Sequence, residues 1–203
     1  MEELVRKLIN SGYLKTPRII EAFKKIDRAD FVPEEFKNQA YVNEPIPIGH
    51  GQTISQPLTV AFMLELLQPE EGNKILDVGS GSGWQSALLS EIVGSKGEVY
   101  AIELIPELSA FGEKNTAQYG FSNLKFLSGS AEEGLLQKAP FDRIIAAAEC
   151  EKIPNAWKKQ LAVGGRMAVP VRQSIFLIIK NGDNEFTEKE FFGFAFVPFI
   201  KKP

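Results

Sequence analysis

Lys74-Ile75-Leu76-Asp77-Val78-Gly79-Ser80-Gly81-Ser82-Gly83-Trp84 is the stretch on which the fold turns. Residues 74–78 read as a buried strand and 84–93 as a helix, and the glycines between them allow a tight bend and close approach of a ligand to the backbone. The spacing is G-x-G-x-G, not the G-x-G-x-x-G of dinucleotide folds, so it suits a nucleoside without a pyrophosphate better than a nicotinamide cofactor. Asp77 is a candidate to face a ligand's ammonium group. The next strand, 98–103, ends on Glu103, a carboxylate able to accept both hydrogen bonds of a ribose diol. Strand, glycine loop, helix, strand and acid together predict a nucleoside-cofactor site. The competing reading is a tight turn with no ligand and a solvated glutamate.

Downstream, short apolar runs keep alternating with helical stretches. Residues 107–119 and 155–161 read as helices, and 124–127, 143–148 and 166–171 as strands, which predicts a parallel sheet with helices on both faces. Residues 174–180 and 188–199 flank Asn181-Gly182, a hairpin signal, so an antiparallel pair is expected at the C-terminal end. Upstream, Leu4, Val5, Leu8 and Ile9 recur at helical spacing, Thr16-Pro17 reads as a cap and first turn, and Ile19, Ile20, Phe23 and Ile26 form a second stripe. From Asp27 to Gln56 the pattern dissolves among Pro33, Pro45, Pro47, Gly49 and Gly51 into a long irregular segment, and its Tyr41–Ser55 part, broken by Pro and Gly between Pro45 and Gly51, could act as a lid. A helix then runs to Leu67, with Ser55 in a position that suits its N-cap. The expected organisation is one domain over 1–203, in which 1–56 hold N-terminal helices and a loop and 57–203 the cofactor-binding core.

Composition narrows the function classes. Lys and Arg total 23 against 26 Asp and Glu, a formal net charge of −3, whereas nucleic-acid binders usually carry a basic surplus; no nucleic-acid partner is expected. The opening MEELVRKLINSGYL is too charged for a secretory segment, and no apolar run approaches the ~20 residues that span a bilayer. With a single cysteine, Cys150, these features lead us to expect a cytoplasmic protein away from membranes. The lone His50 and the absence of CxxC pairs give no metal site. A monomer is expected.

Motif by motif, the chain resembles one family. Asp77–Gly83 is similar to motif I of Rossmann-like methyltransferases. Tyr41-Val42-Asn43-Glu44-Pro45-Ile46-Pro47-Ile48-Gly49-His50-Gly51-Gln52-Thr53-Ile54-Ser55-Gln56-Pro57 resembles the Y-x-D-x-P-L-P-I-G-x-G-Q-T-I-S-x-P loop of protein-L-isoaspartate (D-aspartate) O-methyltransferases. Asp27–Pro33 is similar to their D-R-x-x-F-V-P. Pro140-Phe141-Asp142, Ile153-Pro154, Gln160-Leu161, Gly164-Gly165-Arg166 and Pro170-Val171 follow in the family's order, and Phe196–Phe199 resembles its closing F-V-P-L strand. The resemblance implies an α/β, Rossmann-like methyltransferase sandwich: a mostly parallel seven-stranded sheet with a C-terminal antiparallel hairpin and an N-terminal helical extension. It implies S-adenosyl-L-methionine as cofactor, S-adenosyl-L-homocysteine as product, and methylation of the free α-carboxylate of L-isoaspartyl residues in damaged proteins and peptides, the first step of their repair. By the same resemblance Ser55 is the active-site residue. Gln52, Thr53 and Ile54 join Asp77, Gly79, Ser80, Gly81, Gly83 and Glu103 at the cofactor, and Ile48, Gly49, His50 and Gly51 form the substrate loop.

The chemistry suits these residues. A carboxylate with a pKa of about 4 is already ionised, so attack on a sulfonium methyl needs alignment and exclusion of water but no general base. Ser55 can donate a hydrogen bond that fixes the acceptor, supplemented by backbone N–H groups at Gly49 and Gly51, while a nearby Arg or Lys would blunt the nucleophile. His50 reads as a loop residue. Four positions depart from the pattern. Asn43 replaces an Asp. Ser128-Gly129-Ser130-Ala131 replaces a G-D-G whose Asp reaches the adenine amino group. Ser130, beside Ala131, can still accept a hydrogen bond, and Glu132 or Glu133 could substitute; the change weakens cofactor binding by about 1–2 kcal/mol. Glu149 and Glu151, flanking Cys150, are expected to be solvated, and Arg172, where the family has Gly after Pro-Val, to be a surface charge. Two other readings stand beside the first: a methyltransferase for a different carboxylate, and a non-catalytic module that binds S-adenosylmethionine or damaged peptides.

Overall fold

The computed structural model describes residues 1–200. In chain order the elements are α1 (Glu2–Asn10), α2 (Pro17–Lys25), two 3-10 turns (Arg28–Phe31 and Glu34–Gln39), β1 (Ile46–Gly49), β2 (Gln52–Ile54), α3 (Pro57–Leu67), β3 (Lys74–Val78), α4 (Trp84–Val93), β4 (Glu98–Glu103), α5 (Pro106–Ala117), β5 (Leu124–Ser128), β6 (Phe141–Ala146), α6 (Asn155–Gln160), β7 (Leu161–Val171), β8 (Ser174–Gly182) and β9 (Glu185–Phe192). Among the described residues β3 to β9 form one seven-stranded sheet in the order β5-β4-β3-β6-β7-β8-β9. The first five strands are parallel, and β8 and β9 are antiparallel.

The pleat sorts the core. Leu76, Val78, Tyr100, Ile102, Ile144 and Met167 join one cluster with Trp157, whereas Ile75, Val99, Ile145 and Ala168 join another with α1 to α4. Because both faces are covered at the centre of the sheet, β3, β4 and β6 read as nearly continuous apolar runs. Phe23 of α2 meets Trp84 of α4 edge-on at 5.6 Å between ring centroids, so the core continues across residue 56. The chain leaves β3 toward β4 and β5, then returns to β6 on the other side. This reversal opens a crevice at the carboxyl ends of the strands, where ligands of open α/β sheets bind.

Several local expectations need correction. Thr16 does not cap α2 with its side chain; its hydroxyl donates to Glu65 of α3 at 2.7 Å, and the other Glu65 oxygen accepts from the Lys15 and Thr16 N–H groups. The irregular stretch 27–56 contains a two-stranded ribbon, β1 with β2, whose turn at Gly49-His50-Gly51 has positive φ throughout. Ser55 is not the N-cap of α3. Gln56 holds that place, and Asn43 Oδ1, reaching from the loop, accepts from the Leu58 N–H at 2.9 Å.

At the C-terminal end, Asn181-Gly182 lies inside β8 at a register shift, and the turn to β9 is Asp183-Asn184. A second hairpin, β7 to β8, turns on Arg172-Gln173 with φ of 46° and 64°, the doubly positive geometry of a type I′ turn usually filled by Gly or Asn. β9 stops at Phe192. Residues 193–200 leave its ladder as a strap along the end of β6, where the Glu149 N–H donates to Val197 O and the Phe199 N–H to Glu149 O, both at 2.8 Å. Phe196–Phe199 is therefore not a strand of the main sheet.

Candidate active site

The crevice at the strand ends is a cleft holding about 830 Å³ of empty space, open mouth included. Its floor is the bend after β3. Gly79 (φ 75°) and Ser80 both donate backbone N–H bonds to Ile102 O, at 2.8 and 3.2 Å, which holds the loop against β4. Gly83 serves a different purpose from ligand contact. A Cβ there would come within 2.9 Å of Gly112 O, so this glycine permits the loop to sit directly on α5, and it does not line the cleft. Gly79, Ser80 and Gly81 do line it.

Glu103 ends β4 at the cleft wall, 7% exposed. One oxygen accepts from the Gly81 N–H at 2.9 Å and the other from the Ile105 N–H at 3.0 Å. A carboxylate has about four acceptor sites, so each oxygen keeps capacity for a ligand hydroxyl. Asp77 is placed otherwise than expected. The pleat that sends Val78 to the cleft turns Asp77 toward α4, where it accepts from Gln85 Nε2 at 2.7 Å and Ser86 Oγ at 2.6 Å with no exposure. It does not line the cleft, and a direct contact with a ligand's ammonium group does not follow from its position. Burial pushes its pKa up to about 6, against the lowering effect of the Ser86 and Gln85 bonds.

The ribbon and the loop behind it form the second wall. Ile48, Gln52, Thr53, Ile54 and Ser55 line the cleft, while Gly49, His50 and Gly51 sit outside it at the exposed turn. Gly49 and Gly51 are thus displaced from the donor role expected of their N–H groups. Ser55 lies at a junction. A further cleft of about 670 Å³, open mouth included and lined by uncharged side chains including Pro45, Gln56 and Phe196, shares Thr53, Ser55, Ala147 and Val197 with the first. The Ser55 hydroxyl forms no hydrogen bond with the described residues; its carbonyl accepts from Arg28 Nη2 at 3.0 Å.

On the adenine side expected of the family, Gly129 and Ala131 line the cleft but Ser130 does not; its hydroxyl accepts from the Glu132 N–H at 3.3 Å. Glu149 is not simply solvated. Its side chain accepts from the Gln173 N–H at 3.0 Å and anchors the strained β7–β8 turn. Cys150 is buried in the second core cluster.

Sequence reasoning missed several wall residues. Trp84, Gln85, Leu104, Ala147 and Ala148, with Val197 to Ile200 of the strap, are among them. It also missed Arg28, which is 0% exposed and has its guanidinium 5.3 Å from the centroid of the Trp84 ring. Burial pulls its pKa down to about 10, so it stays protonated at neutral pH. A run of D-R-x-x-F-V-P in a Pro-punctuated segment carried the only signal for it.

The residues present fit a nucleoside cofactor. Glu103 offers a diol acceptor, and Ser80 Oγ and Trp84 Nε1 are buried polar atoms without partners in residues that line the cleft. Among the described residues no group of three or more His, Cys, Asp and Glu gathers to hold a metal, and no helix is long and apolar enough to cross a membrane.

The family model described as protein-L-isoaspartate(D-aspartate) O-methyltransferase matches residues 1–203. The chain belongs to this family. Curated protein-L-isoaspartate O-methyltransferases of Methanopyrus kandleri and Ignicoccus hospitalis are each 42% identical to it, over 98% of this chain and 90% and 97% of theirs. A solved protein-L-isoaspartate O-methyltransferase superposes with a TM-score of 0.88 at 27% identity, over 97% of this chain and 65% of that one. A Plasmodium falciparum structure in complex with S-adenosyl-L-homocysteine superposes with a TM-score of 0.87 at 22% identity, over 98% of both chains, which shows a shared fold. The seven-stranded, mostly parallel sheet found here is thus the fold of protein-L-isoaspartate O-methyltransferases.

Proposed function

We propose that this chain transfers a methyl group from S-adenosyl-L-methionine to the free α-carboxylate of L-isoaspartyl residues in damaged proteins and peptides. When bound, the cofactor supplies a methyl group made electrophilic by its sulfonium. Glu103 accepts from the ribose diol, and the backbone of Gly79 to Gly81, with Gln52 to Ile54 opposite, encloses the rest. Asp77 acts through the loop above it, and Gly83 through its seat on α5. Ala131 borders the adenine. Ser130, turned to Glu132, serves the shape of that turn.

The observation that carries this reading is the position of Ser55, whose residue borders both clefts and whose hydroxyl is unspent. One cleft has the polar floor a nucleoside needs. The other is lined without charge, so an acceptor carboxylate entering it meets a neutral hydroxyl donor and no Arg or Lys that would damp its nucleophilicity. Val197 of the strap and Ala147, which border both clefts, give the junction an apolar side that limits water there. No side chain need take a proton, since the acceptor is already ionised. The tip of the ribbon, Ile48 to Gly51, is where the substrate chain would leave the cleft.

The net charge of −3, with no basic surplus, supports polypeptide and not nucleic acid as the partner; a monomer in the cytoplasm belongs to the same proposal. The test is calorimetric titration with S-adenosylhomocysteine together with rates for Ser55→Ala. Bound cofactor with transfer reduced at least tenfold is expected; unchanged transfer by S55A would remove the serine from the mechanism.

A further inference from the structure

Arg28 is the one described arginine that the structure buries completely, and no salt bridge reaches it among the described residues. A buried cation normally takes a carboxylate partner. Arg28 instead gives its terminal donors to four main-chain carbonyls: Nη1 to Ala40 at 2.7 Å and Val42 at 3.2 Å, Nη2 to Glu44 at 2.9 Å and Ser55 at 3.0 Å. Three of these lie in the segment leading into the ribbon, and the fourth belongs to the residue leaving it. The flat guanidinium also lies against Trp84, the first residue of the helix behind the glycine loop. One side chain therefore closes the base of the ribbon into a ring and seats it on the cofactor side of the cleft. Only a planar group with donors in a fixed fork can hold four acceptors so spaced; an ammonium has three donors on one nitrogen.

We propose that Arg28 is a positioning residue for methyl transfer: by fixing the Ser55 carbonyl and the base of the ribbon, it sets where the Ser55 hydroxyl stands at the junction of the two clefts. Its terminal donors are spent on carbonyls and its Nε is buried without a partner, so it holds the serine without itself meeting the acceptor carboxylate. The proposal rests on the reading of Ser55 as the group that orients the acceptor.

The experiment is a double-mutant cycle on the full chain. Arg28→Lys keeps the charge and loses the fork. Arg28→Gln drops the charge and keeps a smaller planar donor, and stands in if the lysine variant does not fold. Each is combined with Ser55→Ala. The readouts are kcat and KM on an isoaspartyl peptide and the Kd for S-adenosylhomocysteine. Misplacement by about 1 Å can cost a hundredfold, so the arginine variants should lower kcat about 10- to 100-fold. KM and the S-adenosylhomocysteine Kd should move less than about threefold, as expected when only a transition-state interaction is lost. In the S55A background the same arginine changes should cost less than about threefold, because there is no hydroxyl left to position. Equal losses in both backgrounds, or a loss of cofactor affinity that tracks the loss of kcat, would overturn the assignment and make Arg28 a general stabiliser. Wild-type transfer by S55A alone would instead strike at the Ser55 reading and take the Arg28 proposal with it.

Discussion

Replacing Asp77 with Asn should stabilise the protein at neutral pH. The carboxyl is fully buried beneath α4, and burial raises its pKa from 3.8 to about 6 even though Ser86 and Gln85 both donate to it. A carboxyl whose folded pKa is raised contributes stability that is fully present below pH ~4 and is lost as the pH climbs through about 6. The difference of about 2 units corresponds to about 3 kcal/mol at pH 7. An amide of the same shape resembles the protonated form, and the Ser86 hydroxyl and the Gln85 amide can both reorient to satisfy its N–H₂. Asp77→Asn should therefore gain up to about 3 kcal/mol at pH 7, a rise in Tm of roughly 5–10 °C for a chain of this size. Urea or thermal unfolding of both proteins from pH 4 to 7.5 measures it. The gap should be widest above pH 6.5 and close toward pH 4. A gap independent of pH, or a variant less stable than the parent at pH 7, would show that the ionised carboxyl is not under strain. The variant should bind S-adenosylmethionine more weakly, because it removes a negative charge beneath the loop expected to hold a cationic ligand. By linkage, S-adenosylmethionine affinity of the parent should fall as the pH drops below about 6.

Changes at three further positions test the scaffold. Gly83→Ala adds a Cβ 2.9 Å from Gly112 O at a φ of 86°, and should cost at least about 2 kcal/mol in urea unfolding. Arg172→Gly relieves the φ of 46° in the β7–β8 turn and should gain up to about 1 kcal/mol by the same assay, with methyl transfer unaltered. Asn43→Asp keeps the acceptor for the Leu58 N–H and adds a charge at the start of α3. It should raise stability by about 0.5 kcal/mol at pH 7, and Asn43→Ala should lower it by about 1 kcal/mol.

How far the sequence reached follows from where each signal lies. The bend after Lys74–Val78 and the acid at the end of β4 were readable because backbone conformation and strand period are local properties. The orientation of Asp77 was readable in principle as well, since Ile75 and Asp77 must share a face, away from Val78. Arg28 was not. Its role depends on four carbonyls scattered from Ala40 to Ser55, and a lone arginine ordinarily reads as solvated. The Arg172-Gln173 turn was hidden because neither residue favours positive φ; it is set by the pairing of β7 with β8 and by the Glu149 side chain on the Gln173 N–H. Asn181-Gly182 misled for the converse reason: a strong turn pair was absorbed into a register shift once the strands on either side found their partners.

Methyl transfer from S-adenosylmethionine to two otherwise identical peptides, one with an L-isoaspartyl linkage and one with normal aspartate, puts the proposed chemistry to the most direct trial. Base-labile methyl ester should form on the isoaspartyl peptide and not on its twin. Equal labelling of the two, or no labelling of the isoaspartyl peptide by protein that calorimetry shows to bind the cofactor, would contradict it.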